Sequence, residues 1–520
     1  MYYLISTLGG EIVFVKERLA FLWSLPRMKP LFFALALALL PLPSLAADAV
    51  TQHTLTMDGR AIHYTARAGT ITLYDEKRRP IDTMFYTAYT EDGVDPAKRP
   101  VTFFYNGGPG GSSVWQRMAA FGPVRVIGGK PGETPSAPYT VVDNQYSLLD
   151  KTDEVYIDAP ATGFSRILAA GKGSQVFGID EDAAAFAQFI RRYLSDFGRW
   201  NSPKYLFGES YGTVRSAAVA RLLENGFGQA TQLNGVVLMS NALNLDVLWD
   251  DENVGGNDWP FVLFLPTEAA TAWYHHLVPN RPADLPTFLA EVEHFALGEY
   301  LTTLAQGDNV APAIREDTIH KLAAYTGLSE TVIREANMRI KPNDFRSDLL
   351  RSQGKVVGYM DTRYTGYDVV GNRQSPMWDN SDLATTPAVV AVFNDYVRNQ
   401  LAYHTQLEYR SLYDVLGGWD WKHTTDLGGD AALVKPPNTI VDLAEAMAEN
   451  PSMRVFAAMG YYDMSTPYFQ QEYDFAHLHL PETLRANVTI ERYESGHMIY
   501  TDPTSLAKLK TDLDRWYDGH

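Results

Sequence analysis

Gly208-Glu209-Ser210-Tyr211-Gly212 follows the apolar run Tyr205-Leu206-Phe207 and precedes a helical pattern over 214–223. Strand, sharp turn and helix around G-x-S-x-G is the setting of a nucleophile elbow, where the turn is so tight that the serine's neighbours must be small. Such a turn lifts the hydroxyl clear of the sheet and aims a helix N-terminus, with its partial positive charge, at the place where negative charge would develop. Three fixed positions in five also arise by chance in a chain with 39 glycines. The rest of the sequence must therefore supply a base, an acid that orients it, and donors for an oxyanion.

Outward from the elbow, strands and helices alternate. Before it lie β-branched and aromatic runs at 61–66, 70–74 and 84–89, separated by glycine or charged turns, which predict antiparallel strands opening a sheet. Val101 to Tyr105 and Val155-Tyr156-Ile157 read as buried strands. Phe186, Phe189, Ile190, Tyr193, Leu194 and Phe197 fall on one face of a helix. After the elbow, Val236-Val237-Leu238-Met239 reads as another buried strand. From about 246 to 445 the rhythm changes to helical patterns (269–278, 288–304, 314–325, 389–401) without compact apolar strands. Strands return at 455–458 and 488–490, and Leu506, Leu509, Leu513 and Trp516 mark a last helix. The expected architecture is an α/β core over 48–245 and 446–520, with a mostly parallel sheet and helices on both faces, interrupted by a mostly helical cap over 246–445.

In α/β-hydrolases the partners of the serine follow in the order Ser, acid, His. Both returning strands end in a suitable group: Gly460-Tyr461-Tyr462-Asp463 after the first and Glu494-Ser495-Gly496-His497-Met498 after the second. Each leaves the sheet's carboxyl edge, the edge that presents Ser210. Singly, Asp463 reads as a loop-capping carboxylate and His497 as one of 12 histidines; in order, each behind a core strand, they read as the triad. An oxyanion hole needs the N–H after the nucleophile, here Tyr211, and one from an earlier loop. Asn106-Gly107-Gly108-Pro109-Gly110-Gly111-Ser112-Ser113 is that loop, since its glycines let backbone approach a substrate oxygen. A phosphate cradle fits poorly, because no G-K-[ST] follows and Pro109 removes a donor.

Five stretches in order, Tyr105 to Ser113, Asp158-Ala-Pro-Ala-Thr-Gly-Phe-Ser165, Gly208 to Gly212, Gly460 to Asp463 and Ser495-Gly-His-Met498, resemble the serine carboxypeptidases. Val356-Val-Gly-Tyr-Met-Asp-Thr-Arg-Tyr-Thr-Gly366 resembles a segment common in bacterial members. The resemblance implies an α/β-hydrolase fold and release of C-terminal amino acids from peptides or proteins through an acyl-enzyme. It implies Ser210 as nucleophile, His497 as base and Asp463 as its orienter, with Gly108 and Tyr211 donating to the oxyanion. It further implies Asn106 and Glu209 binding the substrate's terminal carboxylate and Met498 lining the pocket beside the histidine. The chain departs from the family at Tyr105 (usually Trp), Gly111 (usually Cys) and Ala120, where some members place another acid at the carboxylate site. The same triad would also serve an esterase or acyltransferase, and a hydrolase scaffold can carry a non-catalytic binding protein.

The chain has 520 residues, 46% hydrophobic and 12% aromatic, and no cysteine, which excludes thiol catalysis and thiolate metal sites. A net charge of −18 without a Lys/Arg-rich block argues against nucleic acid as a partner. No metal or cofactor site is expected: His275-His276 lacks H-E-x-x-H spacing and reads as structural. Lys29, the apolar stretch 31–40 and the exit Ser44-Leu45-Ala46-Ala47 predict an N-terminal extension and secretory signal over 1–47, with Met28 as a candidate start. The apolar stretch is shorter than a membrane span needs, so no stable membrane association is expected once it is removed. With no disulfides, a bacterial periplasm or exterior is the expected location.

Overall fold

The computed structural model describes residues 48–225, 230–248, 256–367, 375–425, 432–434 and 437–519. The extension and signal read in 1–47 lie outside the described residues. Among the described residues the chain forms a ten-stranded sheet. Its strands are β1 (Ala49–Met57), β2 (Arg60–Tyr74), β3 (Pro80–Glu91), β4 (Val101–Tyr105), β5 (Asp153–Ile157), β6 (Lys204–Glu209), β7 (Gly235–Met239), β8 (Arg454–Gly460) and β9 (Val488–Tyr493). They run in the order β1-β2-β3-β5-β4-β6-β7-β8-β9, with the short Arg166–Ile167 beside β3. The first three pair antiparallel, as does β3 with β5. From β5 to β9 every pairing is parallel.

Runs 61–66 and 70–74, expected as two strands, are one: β2 passes straight through Gly69 in register with β3. The glycine does not turn the chain. It leaves room for the Asp48 carboxylate, which occupies the position a Cβ would take.

Strand side chains alternate between two cores. Phe103, Tyr105, Leu206, Val236, Leu238 and Val455 face the helix α1 (Ile179–Asp196) through Phe186, Phe189 and Tyr193, and α2 (Tyr211–Glu224) through Ala217 and Val219. Phe104, Tyr156, Phe207, Val237, Met239 and Phe456 face the helix Pro503–Tyr517 through Leu506, Leu509, Leu513 and Trp516. Runs that are apolar on both faces are what a sheet covered on both sides requires. The fold is that of an α/β-hydrolase.

Between β7 and β8 the chain leaves the sheet and returns beside the strand it left, Gly235 opposite Arg454. The excursion holds the helices Trp259–Tyr274, Leu285–Phe295, Pro312–Thr326, Asn380–Asn399 and Ile440–Glu449. It also holds two hairpins, Lys355–Val357 with Thr365–Tyr367 and His423–Thr425 with Ala432–Val434. Helical patterns expected from 269 and 389 begin about ten residues earlier and run through Pro266 and Pro387. Proline removes one helical donor, and the turns around Pro266 are buried from Val262 to Ala272, so packing outweighs the interruption. The pattern over 288–304 is split by a wider π-type turn at Ala296–Tyr300. Sheet and insertion belong to one compact unit, Ala46–His520. Among the described residues no helix is long and apolar enough to cross a membrane.

Candidate active site

Ser210 follows β6 and caps α2 with φ 61° and ψ −132°, a conformation non-glycine residues adopt at a cost of about 1–3 kcal/mol and that clusters at active sites. The turn is held from both sides. Ser210 N donates to Met239 O on β7 at 3.0 Å, and Thr213 N and Oγ1 donate to Ser210 O at 2.8 and 2.7 Å. Small neighbours are obligatory. A Cβ on Gly208 would meet the Gly212 carbonyl and the Ser216 hydroxyl, and one on Gly212 would lie 2.9 Å from Tyr105 O.

The two loops at the ends of β8 and β9 bring Asp463 and His497 together, Nδ1 to Oδ2 at 2.7 Å. Both side chains are buried. Asp463 also accepts from Ser465 N (2.8 Å), Thr466 N (2.9 Å) and Thr466 Oγ1 (2.7 Å). Four donors around one carboxylate fix its plane. Burial disfavours a charged His497 ring, yet the Asp463 carboxylate, with Glu209 next in strength, outweighs it and holds the imidazole above its ordinary pKa. Among the described residues no hydrogen bond joins the Ser210 hydroxyl to this ring. The fold places them at one edge: Met239 holds Ser210, and its neighbour Ser240 donates from Oγ to His497 O at 2.6 Å.

The glycine loop after β4 lies against the elbow, with Gly107 packed on Tyr211 N. Gly111 N closes it on Gly107 O at 2.9 Å, and Gly108 at φ 113° leaves no space for a side chain, whose Cβ would stand 2.8 Å from Gly111 N. Its far end is anchored by the second motif: Ser113 donates from N and Oγ to Asp158 Oδ1 at 2.9 and 2.7 Å. The insertion roofs the loop through Ser112 N to Ser411 O and Tyr413 N to Gly110 O, both 2.9 Å. Tyr211 packs edge-on against Trp419 and Trp421 of the same roof.

Glu209 is buried directly beside the serine. Tyr500 donates from its hydroxyl to both carboxylate oxygens at 3.1 Å. Burial pushes the Glu209 carboxyl up to about 7, against the His497 charge and hydrogen bonds from Tyr500, Gln116 and Asn106, which pull it down. Asn106 Oδ1 accepts from Gln116 N (3.3 Å), and Arg215, paired with Asp182 at 2.6 Å, donates to Asn106 O at 2.7 Å. Gln116 Oε1 is buried without a hydrogen-bond partner.

The structure thus gathers Ser210, Asp463, His497, Gly108, Tyr211, Asn106 and Glu209 at one edge. Met498, next to the histidine, is buried in the apolar cluster that includes Ile499 and Tyr500. Ala120 belongs to that cluster too, and its carbonyl accepts from Asn144 Nδ2 at 2.7 Å. The polar group near Glu209 comes instead from Gln116, one turn earlier. Gln116, Tyr500 and Thr466 escaped the sequence reading. A lone amide in the buried run Val114 to Phe121 was the available signal for the first; nothing local marked the others. His275 bonds through Nε2 to Thr362 O at 2.8 Å, consistent with a structural residue.

A family model described as serine carboxypeptidase matches residues 63–249. The pheromone-processing carboxypeptidase KEX1 of Debaryomyces hansenii is 31% identical over 147 residues, 28% of this chain and 19% of that one. Serine carboxypeptidase-like 45 of Arabidopsis thaliana is 28% identical over 163 residues, 30% of this chain and 31% of that one. The chain is therefore matched to less than a third of either relative's length. The crystal structure of KEX1(delta)p, a prohormone-processing carboxypeptidase from Saccharomyces cerevisiae, covers 88% of this chain and 91% of its own, with a TM-score of 0.52. Sequence identity there is 15%, so this likeness is one of fold. Residues 63–249 thus match the serine carboxypeptidase model, and the motifs that resemble that family continue in order beyond them to His497.

Proposed function

We propose that this chain is an exported serine carboxypeptidase, acting on the C-termini of peptides and proteins through an acyl-enzyme. One arrangement carries the reading: a buried carboxyl, Glu209, adjoins a strained serine that shares its sheet edge with the Asp463–His497 pair. A carboxyl held at about 7 keeps its proton in mildly acidic solution. It then donates to a substrate carboxylate that an ionised Glu would repel. That suits a substrate whose chain ends one residue beyond the bond to be broken.

In this reading His497 Nε2 takes the Ser210 proton as Oγ attacks the carbonyl, while Asp463 holds Nδ1–H and stabilises the imidazolium. The N–H groups of Gly108 and Tyr211 receive the oxyanion, where one such donor is worth ~10²–10³ in rate. His497 then protonates the departing amine, and water reverses the steps to free the acyl group. Asn106 and Glu209 bind the terminal carboxylate, and Met498 lines the pocket beside the base. The stretch 246–445 acts as a cap over the site, and 1–47 directs export to a bacterial periplasm or exterior.

Mass spectrometry of a peptide mixture after incubation tests the activity, with Ser210→Ala as control. Stepwise loss of C-terminal residues is expected, with amidated peptides spared. Equal turnover of amidated peptides and simple esters would assign the site to an esterase instead.

A further inference from the structure

We infer that the insertion segment 359–364 is the positioning element for both partners of Ser210, a clip that fixes the acid loop and the base loop to one peptide. This rests on the triad reading above. His497 lies beyond β9, the outermost strand of the parallel half, and among the described residues no further strand supports its loop from outside. Asp463 lies on a separate loop beyond β8. A productive imidazole needs its position held within about 0.5 Å. The two loops bond to each other through Tyr462 N to Ser495 O at 3.0 Å, and Ser240 Oγ holds His497 O. The insertion adds a further support that ties both loops to one peptide.

The segment reaches both. Around Asp463, Met464 N donates to Tyr359 O at 3.1 Å and Thr362 N donates to Tyr462 O at 3.0 Å. Around the histidine, His497 N donates to Met360 O at 2.6 Å and Gly496 N to Asp361 Oδ2 at 3.1 Å. Arg363 closes the arrangement. Its Nε and Nη2 grip Asp361 at 3.0 and 2.7 Å, and Nη1 donates to Glu494 O at 2.7 Å and to Asp502 at 3.1 Å. Nη2 also reaches Ser495 Oγ at 3.3 Å. Asp361 is 3% and Arg363 8% exposed, so this charge pair is shielded from solvent and its planar geometry is rigid. The segment is itself anchored, since Asp379 accepts from Tyr359 N and Met360 N at 2.9 and 3.0 Å. Gly496 must be glycine here, because a Cβ would collide with Met360 O and Asp361.

Asp361 and Arg363 are positioning residues, acting through the backbone of 494–497. The test uses the full chain with Arg363→Met and Arg363→Lys. It reads the rate at which a fluorophosphonate labels Ser210, together with kcat and KM on a peptide. Labelling needs the nucleophile and its base but no terminal carboxylate, so it separates this proposal from the substrate assignment. In Arg363→Met the labelling rate and kcat are expected to fall ~10–100-fold with KM within about twofold, the cost of a sub-ångström misplacement. Arg363→Lys, which keeps the charge beside Asp361 and Asp502, should recover part of the loss. A folded Arg363→Met labelled within about twofold of wild type overturns the inference; if it does not fold, Arg363→Lys is judged by the same limit. Wild type labelled at Ser210 yet inert on peptides overturns the carboxypeptidase reading alone, and labelling rates still decide the clip. Wild type that is not labelled overturns both.

Discussion

In the proposed function Glu209 stands where two demands meet, since a group that recognises a carboxylate must be protonated and a group beside the base His497 influences its charge. With its carboxyl at about 7, the fraction able to donate falls as pH rises through neutrality. KM for a peptide with a free C-terminus is therefore expected to rise between about pH 6 and pH 8. Glu209→Gln keeps a donor that does not titrate, so its KM should stay flat across that range. Steady-state kinetics on one peptide check this, and a wild-type KM that is constant to pH 8 would remove Glu209 from carboxylate binding. In the proposed mechanism the acid limb of kcat/KM belongs to His497, whose ring must be neutral to accept a proton and whose pKa is raised.

Among the elements, the elbow and the hairpin His423–Thr425 make opposite uses of close packing. At the elbow, backbone occupies the space. Gly212→Ala would push Cβ to 2.9 Å from Tyr105 O and 3.3 Å from Asn106 O, prying β4 from α2. The expected cost is about 1–3 kcal/mol, read as a lower denaturation midpoint with loss of activity; an active variant of unchanged midpoint would show that the glycine is dispensable. At the hairpin, charge does the holding. His423 bonds to Asp180 of α1 and Asp442 of the helix Ile440–Glu449, each at 2.7 Å. Burial opposes its charge, but the two carboxylates prevail and raise it to about 9. Because the folded pKa exceeds the unfolded one, this stabilisation is complete below about pH 6.5 and is lost as pH rises through 9. At full strength it is about 3 kcal/mol. His423→Gln should lower the midpoint at pH 6 and matter little at pH 10; equal losses at both would refute an ionic role.

Much of the site was legible because its parts are local. The elbow, the glycine loop and the two strand–loop ends each carry their signal within a few residues, and their chain order pointed to the Asp463–His497 pair that the structure joins at 2.7 Å. What stayed hidden depends on distant partners. The continuity of β2 through Gly69 needs Asp48, the helices around Pro266 and Pro387 need buried faces on both sides of the proline, and Tyr500 has meaning only beside Glu209. Gln116 shows the limit of carrying a pattern by position, since the group near Glu209 comes from a residue other than the aligned Ala120. The segment 356–366 stood out as a motif, but its bonds to Tyr462, Met464 and His497 span a hundred residues and more.

Four buried groups share one tendency. Burial raises Asp82 and Glu154 to about 8 and Glu209 to about 7, and His423 keeps its proton to about 9. In each case the folded chain binds a proton that the unfolded chain has already released, so stability falls as pH rises. Thermal midpoints are expected to be highest in mildly acidic buffer and to decline from about pH 5 to pH 9. Calorimetry at three pH values decides this, and a midpoint that climbs over that range would contradict it.

The pairing of Gly235 with Arg454 also has a temporal side. Strand β7 and Ser210 are translated well before β8, and at the ~5–20 residues per second of synthesis the intervening stretch of about 200 residues takes roughly 10–40 s. Through that interval the growing chain carries Ser210 and the glycine loop but neither Asp463 nor His497, with one edge of its parallel sheet uncovered. On the proposed mechanism the nascent chain is silent by construction, and only the last strands to be made switch it on.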